Sequence, residues 1–193
     1  MDLQATGNTI SLKYGAPTAS TTIVQDIDRR EVVSQELTRT HHIKLLNTMK
    51  KELIVRKIVS LHAEVSRVWD ALTNPALTKK YMFDCEIVSD FKVGSPFIWK
   101  GSSDGKVYVK GNVVDVIQGK LLQFTAIDPK LEDVPSNHTT VTYELSKEHD
   151  QTVLSVTQGD FAEVADGQKR YNETVGGWDF ALKGLKDLLE RTV

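Results

Sequence analysis

Side chains able to do acid–base, nucleophilic or metal chemistry are few and scattered in this chain. Histidines stand at 41, 42, 62, 138 and 149, and none has a second ligand at the i, i+4 spacing by which a helix presents two side chains to one zinc ion. His41 and His42 are adjacent, so on a helix they would point in different directions, and no nearby cysteine completes a site; they read as solvated surface residues. Cys85, the single cysteine, opens a strand-like segment with no base beside it in sequence, which fits buried packing better than nucleophilic work. Neither a Gly-x-Ser-x-Gly elbow nor a phosphate loop is present. An acid–base pair would have to be drawn from Asp84 or Glu86 with Tyr143. No catalytic residue, metal or cofactor is expected on this reading.

The aromatic residues are more informative. Phe97 and Trp99 alternate onto one face of a strand, Val141, Tyr143 and Leu145 onto one face of another, and Trp69 and Trp178 fall on the apolar faces of helices. Such residues can fill a core, or they can line a space within it. Tyr and Trp carry polar groups that need partners when buried, and those groups could orient a ligand in an otherwise apolar pocket.

The elements that must position these side chains are legible from periodicity. Tyr171, Val175, Trp178, Leu182, Leu185 and Leu189 recur at steps of four and three, which lays an apolar stripe along a helix, with Lys183, Lys186, Asp187 and Glu190 opposite. Gly176, Gly177 and Gly184 interrupt that helix. Glycine costs up to about 1 kcal/mol against alanine there, so they suggest a close approach or an open space beside the helix, or a helix that begins later or bends at Gly176. Upstream, the spacing predicts a strand over Ile54–Leu61, a helix over Glu64–Leu72 and a short helix from Pro75 to about Tyr81, with Asn74 as its cap and Pro75 at its first position. Strands are predicted over Cys85–Phe91, Pro96–Lys100, Lys106–Ile117, Leu121–Ile127, Thr139–Leu145 and Thr152–Gln158, separated by turn signals such as Asp104-Gly105 and Gln118-Gly119-Lys120. Grouped rather than alternating elements indicate an α+β arrangement on an antiparallel sheet.

Particular residues then carry a resemblance. Val68-Trp69-Asp70-Ala71-Leu72-Thr73-Asn74-Pro75, Lys92-Val93-Gly94 leading into Phe97, Asp104-Gly105, Gly111-Asn112-Val113, and Gly177-Trp178 followed by Leu182 and Leu185 resemble, in order and spacing, the SRPBCC or START-like superfamily. Within it the chain is most similar to the C-terminal domain type of the activators of heat-shock chaperone ATPase, over about residues 53 to 191. Tyr81 stands where members of this type usually have Trp, and Glu64-Val65-Ser66 replaces the usual Pro and Glu at the first helix start. The resemblance implies the helix-grip fold, a curved antiparallel sheet wrapped around a long C-terminal helix, with two short helices between the first two strands closing a hydrophobic cavity. Trp69, Leu72, Tyr81, Phe97, Trp99, Phe124, Tyr143, Trp178 and Leu182 are the residues expected to line it.

The expected organisation is therefore an N-terminal extension over 1–52, accessory in role, and a START-like domain over 53–193. The extension is read as short extended pieces at Ile10–Tyr14 and Thr21–Ile27 and a helix or strand over Glu31–Leu37. Its apolar positions are too sparse for an independent core, so it should pack on the domain's outer surface or on a second copy of the protein. The expected activity is non-catalytic binding of a small apolar or amphipathic molecule. A chaperone-interaction module of the stress-response kind is the alternative, weakened because relatives that act on chaperones carry a separate N-terminal domain for which fifty residues are too few. A cyclase- or hydratase-type enzyme is the third reading. Twenty-four basic against twenty-six acidic residues, a formal charge of −2 and no long basic run argue against nucleic acid as a partner. One cysteine, no basic-then-apolar leader at the start and no apolar run near membrane-spanning length point to a reducing, cytoplasmic setting with no membrane span. Partners are expected to be a small hydrophobic molecule, a chaperone protein, or a second copy in a homodimer.

Overall fold

The computed structural model describes residues 52–191 together with Val32, Gln35, Glu36 and Arg39. These fall in two units, one up to Lys50 and one from Lys51. In the first, the four described residues are helical and exposed, within or just beyond the segment predicted as helix or strand. The pieces expected at Ile10–Tyr14 and Thr21–Ile27, and the His41-His42 pair, lie outside the described residues.

The second unit is a curled antiparallel half-barrel of seven strands with a long helix in its concavity. The strands are β1 (Val55–Leu61), β2 (Cys85–Val88), β3 (Pro96–Gly101), β4 (Val107–Ile117), β5 (Leu121–Ala126), β6 (Thr139–Glu148) and β7 (Gln151–Gly159), in the spatial order β1-β7-β6-β5-β4-β3-β2. Two short helices, α1 (Val65–Thr73) and α2 (Pro75–Thr78), follow β1, and α3 (Gly167–Glu190) closes the unit. This is the α+β helix-grip arrangement. Side chains at 97, 99, 122, 124, 126, 139, 141, 143, 145, 152, 154 and 156 are buried while their neighbours, apart from Ile127 just after β5, are more exposed, which is the period-two alternation of a sheet packed on one face. The sheet bends where its register slips, between Trp99 and Lys100 and between Val113 and Asp115. Gly111 lies in this bend. A Cβ there would stand 1.7 Å from the Thr125 carbonyl oxygen, so only glycine lets β4 approach β5 so closely.

Asn74 ends α1 and caps α2, its side-chain oxygen accepting from the Ala76 N–H at 2.9 Å, with Pro75 at the first helical position. Several expected boundaries move, most by one residue, and β6 runs to Glu148 rather than Leu145. The second short helix stops at Thr78 rather than near Tyr81, and β2 stops at Val88 rather than Phe91. In both places the backbone enters the left-handed region, at Phe83 and Asp84 after the helix and at Phe91 after the strand, which neither element can accommodate.

The stripe on α3 is buried unevenly. Ala181, Leu182, Leu185 and Leu189 in its C-terminal half are buried against the sheet, whereas Tyr171, Val175 and Trp178 are half-buried. The C-terminal half is also clipped to β1 and the residue after it: Lys57 pairs with Asp179, Lys186 Nζ donates to the Ser60 carbonyl at 3.0 Å, and the His62 N–H donates to Glu190 at 3.0 Å. Among the described residues no helix is long and apolar enough to cross a membrane.

Candidate functional site

Beneath the less buried half of α3 the sheet and helix are only partly in contact. A cavity of about 430 Å³ lies between them, within the usual range of small-molecule sites. Thr174, Gly177, Trp178 and Ala181 form its helix wall; Trp99, Val109, Phe124, Ala126 and Val141 form its sheet wall; Met82, Phe83 and Cys85 bound it beside α2. The lining is predominantly aliphatic and aromatic. Gly177 helps to open it, since a Cβ at that position would meet nothing within 4 Å.

Behind the wall the aromatic residues form a continuous series. Trp99 packs edge-on to Phe97, Phe97 stacks on Phe124 with centroids 3.6 Å apart, Phe124 meets Tyr143 edge-on, and Tyr143 meets Trp178 at 90° with centroids 5.7 Å apart. Such T-shaped and stacked pairs fix ring orientation as well as burying area. Of the residues expected to line the cavity, Trp99, Phe124 and Trp178 do so. Phe97 and Tyr143 stand behind them as supports. Trp69, Leu72, Tyr81 and Leu182 pack in the main core without reaching the cavity wall. Tyr81 instead fastens α1, its hydroxyl donating to the Ala71 carbonyl at 3.0 Å.

Polar groups at the site are few and mostly committed. Trp178 Nε1 donates to Gln158 Oε1 at 2.8 Å, and Gln158 Nε2 donates to Thr139 Oγ1 at 3.0 Å, so the amide is held at both ends on the cavity wall. Gln158 continues the inward alternation of Thr152, Leu154 and Val156 along β7, and a polar residue at that position of an apolar face is a signal the sequence reading passed over. Tyr108, on the rim, donates to Asp104 at 2.9 Å; that bond raises its hydroxyl pKa, and the Lys106 N–H first and then Tyr108 hold the Asp104 carboxyl below the usual range. Burial first, then the carboxylates of Asp84 and Asp104, push the Cys85 thiol up, which keeps it protonated at neutral pH. Burial likewise raises the Tyr81 and Tyr143 hydroxyls.

The acid–base pair considered from sequence does not assemble. Asp84 accepts from the Ser103 N–H and hydroxyl, Glu86 lies 3.8 Å from Lys100, and the buried Tyr143 hydroxyl has no hydrogen-bond partner among the described residues. On the rim, Phe83 and Phe180 stack at 4.7 Å, both exposed, with Phe83 held at φ 51°.

A family model described as activator of Hsp90 ATPase homolog 1-like protein matches residues 62–190. Among solved structures, ChR145 from Cytophaga hutchinsonii is 34% identical, over 71% of this chain and 93% of its own, with a TM-score of 0.57. Protein MLL2253 from Mesorhizobium loti is 24% identical over 72% of this chain and 98% of its own, with a TM-score of 0.61. The Aha1 dimer from Colwellia psychrerythraea is 21% identical over 71% and 96%, with a TM-score of 0.57. At these identities the last two show a shared fold alone. No curated protein matches the chain significantly.

Proposed function

The chain belongs to the activator of Hsp90 ATPase homolog 1-like family, and on that premise we propose that it binds a small apolar or amphipathic molecule between its sheet and α3, without chemistry of its own. The observation that carries this reading is the cavity of about 430 Å³ with aliphatic and aromatic walls and one fixed amide, Gln158. A void of this size lined by apolar side chains forgoes dispersion contacts and stays poorly hydrated, so an apolar guest recovers both terms. The walls are preorganised by the aromatic series and by the clips on α3, which lowers the ordering cost of binding. Native mass spectrometry of the purified protein should retain a co-purified small molecule or, once emptied, take up one equivalent of a neutral naphthylamine dye. Trp99 and Trp178 on the walls would report it by fluorescence. Uptake with no stoichiometric limit would refute the reading.

A second reading, a chaperone-interaction module, is favoured by one observation: the exposed Phe83–Phe180 stack beside the cavity. A rigid aromatic pair on the surface is the kind of anchor that protein interfaces use. Replacing Phe180, the member of the pair that does not line the cavity, by Ala should abolish any stimulation of an Hsp90-type ATPase while leaving dye uptake in place. Stimulation that survives the replacement would remove the patch from consideration.

A further inference from the structure

The apolar cavity continues past Gln158. Tyr108, Val109, Ala126, Gln158 and Thr174 also form a wall of a second cleft, of about 460 Å³, reaching the first turn of α3. The character of the lining changes there, for the far wall carries Asp128, Asp166, Lys169, Arg170 and Glu173. Arg170 is distinct among them. Its Nη2 donates to the Asn137 carbonyl at 3.1 Å and its guanidinium carbon lies 6.0 Å from the centre of the Phe161 ring, so one edge of the group is anchored. Its Nη1 is buried, and among the described residues it has no hydrogen-bond partner and no ion pair involves it. Lys169, by contrast, lies 4.0 Å from Glu173.

We propose that the natural ligand is a long-chain monocarboxylate, its apolar body in the first cavity and its carboxylate in the adjoining cleft, where a turn of the Arg170 guanidinium brings the buried Nη1 to it; this rests on the apolar-cavity reading above. A buried charged donor without an acceptor is costly, and a carboxylate satisfies it with a charge-assisted bond about twice as strong as a neutral one. A neutral head group leaves the guanidinium charge uncompensated. A dianionic head group meets the other side of the balance, since Asp128, Asp166 and Glu173 outnumber the two cations of the cleft. Gln158 stands on both walls, between the apolar and charged compartments.

The test compares laurate, dodecanol and dodecyl phosphate on the full chain by calorimetric titration, below the concentrations at which they aggregate. Laurate should bind about tenfold more tightly than dodecanol and more tightly than dodecyl phosphate. In Arg170→Met the laurate-to-dodecanol ratio should fall to about one. On the unaltered protein, nitrogen NMR of the arginine side chains should show the Arg170 guanidinium shifting with laurate and not with dodecanol, a readout that holds even where the variant folds poorly. Equal binding of laurate and dodecanol, or a laurate preference that persists in Arg170→Met with the Arg170 signals unmoved, overturns the assignment and leaves the apolar cavity standing. Failure of all three to bind removes the cavity reading and this inference together.

Discussion

Three glycines in one helix permit a sharp comparison, because the same change meets three different surroundings. Gly176 is exposed, Gly177 faces the cavity, and a Cβ at either would find nothing within 4 Å. At Gly184 the new Cβ would stand 3.0 Å from Tyr81 Cβ and 3.4 Å from Tyr81 Cα. Gly176→Ala and Gly177→Ala should each gain the helical preference of alanine, about 0.8–1 kcal/mol. In a protein of this size that is a rise in Tm of roughly 2–4 °C. Gly184→Ala earns the same helical term but overpacks against Tyr81, which is 3% exposed and anchored through its hydroxyl to Ala71. Overpacking of this kind costs about 1–3 kcal/mol, so the net effect should be destabilising by up to about 2 kcal/mol. Gly177→Phe completes the series by placing a ring in the cavity, and it should abolish dye uptake while the protein remains folded. Urea unfolding followed by circular dichroism measures the alanine changes. A Gly184→Ala protein as stable as Gly176→Ala would refute the packing assigned to α3, and dye uptake surviving in Gly177→Phe would refute the location of the site.

Other changes test other contacts. Tyr143→Phe deletes a buried hydroxyl with no partner among the described residues and should leave stability unchanged or raise it, whereas Tyr81→Phe should lose about 0.5–1.5 kcal/mol with its bond to Ala71; in urea unfolding only the Tyr81→Phe midpoint should fall. The Glu190 carboxyl is held below the usual range chiefly by the His62 N–H, so its stabilising effect is present above the unfolded value and lost as pH falls through the folded one. The difference between the wild type and Glu190→Gln in unfolding midpoint should therefore be full above about pH 5 and vanish in strong acid. A shortened chain beginning at Lys51 should keep the circular dichroism of the sheet and α3, in line with the proposed accessory role of residues 1–52; loss of that spectrum would make the extension part of the core.

The sheet was legible because each strand carries alternating apolar residues and ends on residues that break it, as at Asp104-Gly105 and Gln118-Gly119. The Asn74-Pro75 junction was legible for the same local reason, a cap followed by a residue whose missing N–H costs nothing at that position. What periodicity could not give was depth. It identifies the face on which Trp178, Leu182 and Leu185 lie, but not that a space opens beside Gly177 and Trp178 while Leu185 is fully buried. Hence Leu72, Tyr81 and Leu182, chosen by face, pack as core, and the glycine that opens the cavity could be recognised only as unusual. Gln158 and Arg170 act through partners distant in sequence, at Trp178, Thr139, Asn137 and Phe161, and no local pattern announces them.

The order β1-β7-β6-β5-β4-β3-β2 sets a schedule for the nascent chain. Every other strand pair joins consecutive strands, so the sheet can grow from β2 to β7 as those strands emerge. β1 leaves the ribosome first and is paired last. The Thr152 hydroxyl that seals this edge to the Ala63 carbonyl comes 89 residues later, an interval of roughly 4–18 s at ordinary rates of synthesis. Throughout it, β1 presents an unpaired edge and the inward Leu61 without the helix that will bury it. The last steps of synthesis therefore do double duty: β7 and α3 complete the cavity and at the same time cover one edge of β1 and its inward face.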